Sequence, residues 1–152
     1  MLDHGPIDSA SALFGIEVIS PKDIWAVGQQ YVNYNHQTLI EHWDGSEWSV
    51  VPSTTNSGYL RGITAVSANN IWAVGFRPGY APASLILHWD GVQWSLVNYS
   101  QPARFFSVAA VSANDIYAVG ENNVNPLVAH WNGLDSFSPT RKGKCDGGIY
   151  NT

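Results

Sequence analysis

The sequence has one cysteine, Cys145, so no internal disulfide can staple the fold, and cysteine usage leaves the compartment open. It has no apolar run long enough to cross a bilayer as a helix. Its start, Met1-Leu2-Asp3-His4-Gly5-Pro6, lacks the basic residues and apolar stretch of a signal peptide. Charge is scarce: Asp, Glu, Lys and Arg make up 12% of 152 residues, against about 25% in an average soluble domain. The formal net charge is -5 and the one basic cluster is Arg141, Lys142 and Lys144 near the C-terminus. That cluster reads as a solvated tail, and a nucleic-acid backbone is excluded as partner for want of clustered cations. The sequon Asn98-Tyr99-Ser100 would matter only in a secreted eukaryotic protein.

What is abundant is tryptophan, with seven copies, and glycine, with 14. Together with Val, Ile, Asn and Ser this composition suits short strands and tight turns. The residues recur in order. Gly15 to Gly28 reads GIEVISPKDIWAVG, Gly62 to Gly75 reads GITAVSANNIWAVG, and Ser107 to Gly120 reads SVAAVSANDIYAVG. A second block follows in each copy: HWDGSEWS from His42, HWDGVQWS from His88, and HWNGLDSFS from His130.

Each copy predicts four strands. The first covers Ile16 to Ile19, Ile63 to Val66 and Val108 to Val111 in the three copies. An S-x-x-[DN] turn follows, in which Ser20, Pro21 and Asp23 carry the turn chemistry. The second strand, DIWAVG or a variant, is apolar on both faces, as in a strand sandwiched between sheets. The third covers Leu39 to Trp43, Leu85 to Trp89 and Leu127 to Trp131, and ends in an Asp-Gly or Asn-Gly hairpin turn. The fourth is Trp48 to Val51, then Trp94 to Val97, and decays in the third copy to Phe137 with Pro139 close behind. Four short antiparallel strands per repeat of this length is the period of a propeller blade. The fold class is therefore all-β, with three blades and an open partial propeller unless another chain completes it. The boundaries are an N-terminal segment (1-14), blades at 15-60, 61-106 and 107-138, and a tail at 139-152. All seven Trp fall in three columns: Trp25 and Trp72 (Tyr117 in the third copy); Trp43, Trp89 and Trp131; Trp48 and Trp94. Such regularity assigns them to packing between blades.

The pattern S-x-x-[DN]-[IV]-W-A-V-G followed by H-W-[DN]-G-x-x-W resembles the WAVG/HWDG-type repeats of bacterial β-propeller proteins, from Gly15 to about Ser138. The resemblance implies a propeller and an extracellular or cell-surface location. Tectonin-type lectin propellers carry similar elements with shorter repeats. WD-repeat blades share Trp43-Asp44 and Trp89-Asp90 but need an upstream Gly-His, which is missing. Sialidase Asp-boxes have a Ser and a longer Asp-to-Trp spacing that this chain lacks, so sialidase activity is not carried over.

Candidate catalytic groups fail by being repeated. His42, His88 and His130 share one column on three blades, too far apart for one metal site, and are expected to bond turns. Asp44, Asp90 and Asn132 read as turn formers. The unrepeated acids are Glu17, Glu41, Glu47, Glu121 and Asp135. Glu17, on the innermost strand, has Thr64 and Ala109 as equivalents, so no second carboxylate joins it for glycoside hydrolysis, and it is expected to line a wet channel. Cys145 reads as an incidental thiol. No cofactor, phosphate or metal motif is present.

Loop parity points elsewhere. In an up-and-down blade alternate loops share an end, and one end carries the segments that differ among copies: Gln29 to Gln37, Pro52 to Leu60, Phe76 to Ser84, Asn98 to Phe105, and Glu121 to Pro126. Their Tyr, Asn, Ser, Thr and Arg content is that of a recognition surface for protein or glycan. The expected contact residues are Tyr31, Tyr34, Asn35, Tyr59, Arg77, Tyr80, Tyr99 and Arg104. Propellers close with about four to eight blades, so three leave two open flanks. The expected function is a non-catalytic binding and assembly module. Its flanks are closed by a second copy, as a six-bladed dimer, or by the rest of a longer chain. A structural subunit of an extracellular filament is the alternative. A glycoside hydrolase or lyase, with two Glu17 brought across a dyad, is the second alternative.

Overall fold

The computed structural model describes residues 10–79, 83–123, 125–134 and 136–140. Among these residues twelve strands form three separate four-stranded antiparallel sheets, each in sequential order. The first sheet holds β1 (Ala12–Ser20), β2 (Asp23–Val32), β3 (Asn35–Trp43) and β4 (Trp48–Val50). The second holds β5 (Tyr59–Ser67), β6 (Asn70–Arg77), β7 (Ala83–Trp89) and β8 (Trp94–Leu96). The third holds β9 (Arg104–Ser112), β10 (Asp115–Asn122), β11 (Asn125–Trp131) and a two-residue β12 (Ser138–Pro139). These are three propeller blades. The innermost strands β1, β5 and β9 pack side by side.

Blades stack because their second strands are apolar on both faces. Trp25, Val27 and Ile40 of the first blade meet Ile71, Leu85, Leu87 and Trp94 of the second. Trp72, Val74 and Ile86 then meet Phe105, Ile116, Leu127 and Phe137 of the third. The Trp columns make these seams: Trp25 lies 5.0 Å from Trp89 and 5.6 Å from Trp94, and Trp72 lies 5.1 Å from Trp131 and 5.6 Å from Phe137. Each buried Trp removes about 200 Å² from water, worth several kcal/mol. The Pro52 to Gly58 link also crosses a seam: Thr54 donates its amide to the Trp94 carbonyl and accepts from the Leu96 amide.

The two outer flanks have no neighbour among the described residues. Ile63 is 8% exposed in the first seam, but its counterpart Ile16 is 64% exposed. Val18 and Leu13 are likewise open, and an apolar groove of about 360 Å³ runs between Leu13, Ile16 and Trp48. Glu41 is buried on this flank, in the column that Leu87 and Ala129 fill elsewhere. On the far flank of the third blade Tyr117 and Val119 are exposed.

The inner strands start upstream of the shared sequence block and carry a bulge at each end. At the upper bulge Leu13 pairs with Gly28 and Gly15 with Val27, leaving Phe14 over. Arg61 and Phe106 are left over in the same way. This explains the glycine that ends WAVG. A Cβ on Gly28, Gly75 or Gly120 would sit 1.9, 1.7 or 1.8 Å from the carbonyl oxygen of Ala12, Tyr59 or Arg104. Only glycine lets the bulged strand pass this closely.

Candidate functional site

At one end of every blade the repeated polar residues are joined in one unit. The Trp25 indole donates to Asp23 Oδ1 at 2.9 Å, and His42 Nε2 meets the same oxygen at 2.8 Å. In the second blade Asn70 Oδ1 accepts from Trp72 at 2.8 Å and meets His88 at 2.9 Å. In the third, Asp115 meets His130 at 2.8 Å, and the Tyr117 hydroxyl bonds the same carboxyl group. Each histidine stacks on the ring it shares this acceptor with, at 4.2 to 4.4 Å between centroids. The histidine column therefore ties the third strand to the first turn. Sequence reasoning gave Asp23 only its turn role and missed it as the shared acceptor. A polar column, Asp23/Asn70/Asp115, standing opposite a histidine column was the signal.

The Asp-Gly turns at this end are Asx turns. Asp44 Oδ1 accepts from the Ser46 and Glu47 amides, and Asp90 Oδ1 from Val92 and Gln93. Those bonds hold the Asp44 carboxyl down at about 2, and lower Asp90 in the same way. His88 is lowered by burial, against the opposing pull of Asp90. Among the described residues no group of three His, Cys, Asp or Glu is placed to hold a metal ion.

The other end differs from copy to copy, as loop parity requires, but it is more ordered than loops. The Gln29 to Gln37 segment is mostly strand: β2 and β3 stay paired to Val32 and Asn35. Only Asn33 and Tyr34, both at positive φ (49° and 64°), make the turn, a tight hairpin of the kind that favours Asn. Likewise Tyr31 pairs with His36 inside the ladder, Tyr59 opens β5, Arg77 closes β6 and Arg104 opens β9. These four expected contact residues sit on strand ends rather than in free loops, because the outward run of each ladder continues past the repeat block. Tyr34 is 91% exposed at its turn. Tyr34 and Asn35 line a polar groove of about 620 Å³ with Thr54 and Asn56. Arg77 and Tyr99 line a second groove of about 370 Å³ with Asn98 and Gln101. Arg77 links the two by donating to Thr55 Oγ1 at 3.1 Å. Tyr99 packs edge-on against Phe105, and burial raises its hydroxyl pKa. Tyr80 lies outside the described residues, as do Asp135, Cys145 and the Arg141, Lys142 and Lys144 cluster.

Beside these grooves lies a row of rings and guanidinium groups in which Tyr31, Tyr59 and Arg104 were expected from the sequence, and His36, Phe76, Phe106, Phe14 and Arg61 were not. Rings follow one another from Tyr31 to His36 (4.9 Å), Tyr59 (4.7 Å), Phe76 (5.2 Å) and Phe106 (6.0 Å). The Arg61 guanidinium lies 4.1 Å over the Phe14 ring and 5.8 Å from Phe76. Arg104 lies 5.8 Å from Phe76 and pairs with Glu121 at 3.1 Å. Phe14, Arg61 and Phe106 are the three bulge residues. Their shared position, directly before each repeat block, was visible in the sequence, but nothing in the sequence marked it as bulged.

Charge is divided between the ends. Among the described residues, Arg61, Arg77 and Arg104 stand at the variable end against Glu121. Asp23, Asp44, Glu47, Asp90 and Asp115 stand at the constant end against Lys22. Glu17 sits between, half-buried on the innermost strand of the first blade. It accepts a hydrogen bond from the Ala65 amide of the next inner strand, and burial outweighs that bond and raises its pKa.

No family model matches the chain, and no curated protein matches it. Among solved structures, a chain described as "YCF48 bound to D1 peptide" superposes with a TM-score of 0.60 at 14% sequence identity. The match covers 91% of this chain and 45% of that one, so this chain spans less than half the length of its structural neighbour. The likeness is one of fold.

Proposed function

We propose that this chain is a non-catalytic propeller module that binds a protein segment at its variable end and closes its ring through its open flanks. The observation that carries the reading is the division of polar groups. The acceptors and histidines that recur in every blade, with the indoles of the first two, are bonded to one another at the constant end. At the variable end, grooves and exposed aromatic groups stand clear of the scaffold. A neighbour of the same fold described as bound to a peptide supports a protein ligand over a glycan. Function does not follow from fold, so the site carries the argument.

For the flanks, the exposed counterparts of seam residues favour blade-on-blade docking. Ile16, Val18 and Leu13 take the place that Ile63, Ala65 and Leu60 hold in the first seam. A second copy would close six blades about a two-fold axis, and further blades of a longer chain would serve the same end. Such docking would cover the apolar flank. An extracellular or surface location belongs to the resemblance to WAVG/HWDG repeats.

Light scattering and peptide and glycan arrays test the two halves. Twice the chain mass at all working concentrations supports ring closure by a copy. A stable monomer, or a mass that climbs without limit as in a filament, removes it. Saturable binding to a peptide, weakened by Tyr34→Ala or Arg77→Ala, supports the binding face. Glycans bound in place of peptides would reassign it, and no binder on either array would remove it.

A further inference from the structure

The bulge residues and their neighbours point to a ligand chemistry. The Arg61 guanidinium carbon lies over the Phe14 ring, 4.1 Å from its centroid, with the Tyr59 and Phe76 rings within 6 Å. Its Nε is buried without a hydrogen-bond partner, and no carboxylate faces it among the described residues. A guanidinium held over a ring in this way still offers its terminal Nη groups to a carboxylate, at little further cost in side-chain freedom. Phe14 and Phe106, 42% and 45% exposed, make the surroundings apolar, which strengthens any ion pair formed there. Arg104 stands across Phe76 with a single acidic partner, Glu121, in a pair more than a third exposed on both sides.

We infer that this strip receives an acidic peptide, with Arg61 taking one carboxylate and Arg104 exchanging Glu121 for another. The inference rests on the binding-module reading and specifies its ligand. A sugar fits the strip less well, because the ring face it would stack on is covered by Arg61 at Phe14. A nucleic acid fits less well because the chain is acidic overall and the cations are few. The charge division adds direction: the acidic constant end repels such a peptide while the variable end attracts it.

Fluorescence polarisation with a labelled hexaglutamate peptide tests this on the whole chain, with hexaglutamine and oligothymidine as controls. Hexaglutamate is expected to bind saturably and to weaken as ionic strength rises. Arg61→Gln should weaken it about ten- to a hundredfold, the span of one charge-assisted hydrogen-bonded contact. Glu121→Gln should tighten it by freeing Arg104, a gain that mere loss of structure would not produce. Asp90→Asn, at the constant end, should leave it unchanged. Equal binding of hexaglutamine, equal or tighter binding of oligothymidine, no saturable hexaglutamate binding, or an Arg61→Gln protein that binds normally would each overturn the inference. An uncharged peptide that binds with loss on Tyr34→Ala would do so too, while leaving the binding-module reading intact.

Discussion

The two ends of the blades are built from the same strands and differ in what their polar groups touch. At the constant end a carboxylate or amide oxygen, an indole and an imidazole close on one another in the first two blades. At the variable end Arg61 and Arg104 lie against rings, and among the described residues only Arg104 of the arginines has a carboxylate partner. The difference teaches that repetition marks scaffold here and that its failure marks surface released from the scaffold. A residue shared by all copies cannot be specific to one ligand contact, whereas one that varies is released from the scaffold.

That contrast can be broken most forcefully at the seam. Trp72→Ala removes a ring that is 2% exposed and touches Trp131, Phe137 and His88. It should cost about 3–5 kcal/mol in urea unfolding. Gly75→Ala forces a Cβ onto the Tyr59 carbonyl and should cost more than about 2 kcal/mol. It should also disturb the Arg61 bulge, seen as lost hexaglutamate binding. A smaller effect belongs to pH. Burial disfavours the charged form of His88, so its folded pKa lies below the ordinary value of 6.5. Between those two values the unfolded chain binds more protons, and stability should fall as pH is lowered through that window. Replacing its neutral partner with a carboxylate, Asn70→Asp, should raise the His88 pKa in an NMR titration and flatten that loss. Smallest of all, Tyr34→Ala at a fully solvated turn should change stability by less than about 0.5 kcal/mol, whatever it does to binding.

Blade number and strand order were legible in the sequence because each repeat carries its own turn signals and aromatic columns. The seams were legible for the same reason: Trp25, Trp72, Trp89 and Trp94 recur where the blades meet. The histidine column was legible as structural, but its acceptor was not, since Asp23 sits in a turn that explains an Asp already. Strand lengths at the variable end were underestimated. Tyr31, Asn35, Tyr59 and Arg104 belong to ladders set by backbone pairing, which their polar side chains conceal. The strip was illegible because a bulge shifts register by one residue without any change in residue type. Phe, Arg and Phe at the same position share no side-chain property that a pattern could catch.

The close passage at Gly28, Gly75 and Gly120 has a consequence for how such a surface can change. Because the ladder skips one amino acid at each crossing, that amino acid answers to no partner strand. Its identity is exchangeable while every backbone hydrogen bond around it stays in place. Each blade thus carries a socket at its variable end, filled here by Phe, Arg and Phe. New contents could be fitted there, by selection or by design, without rewriting the repeat that holds them.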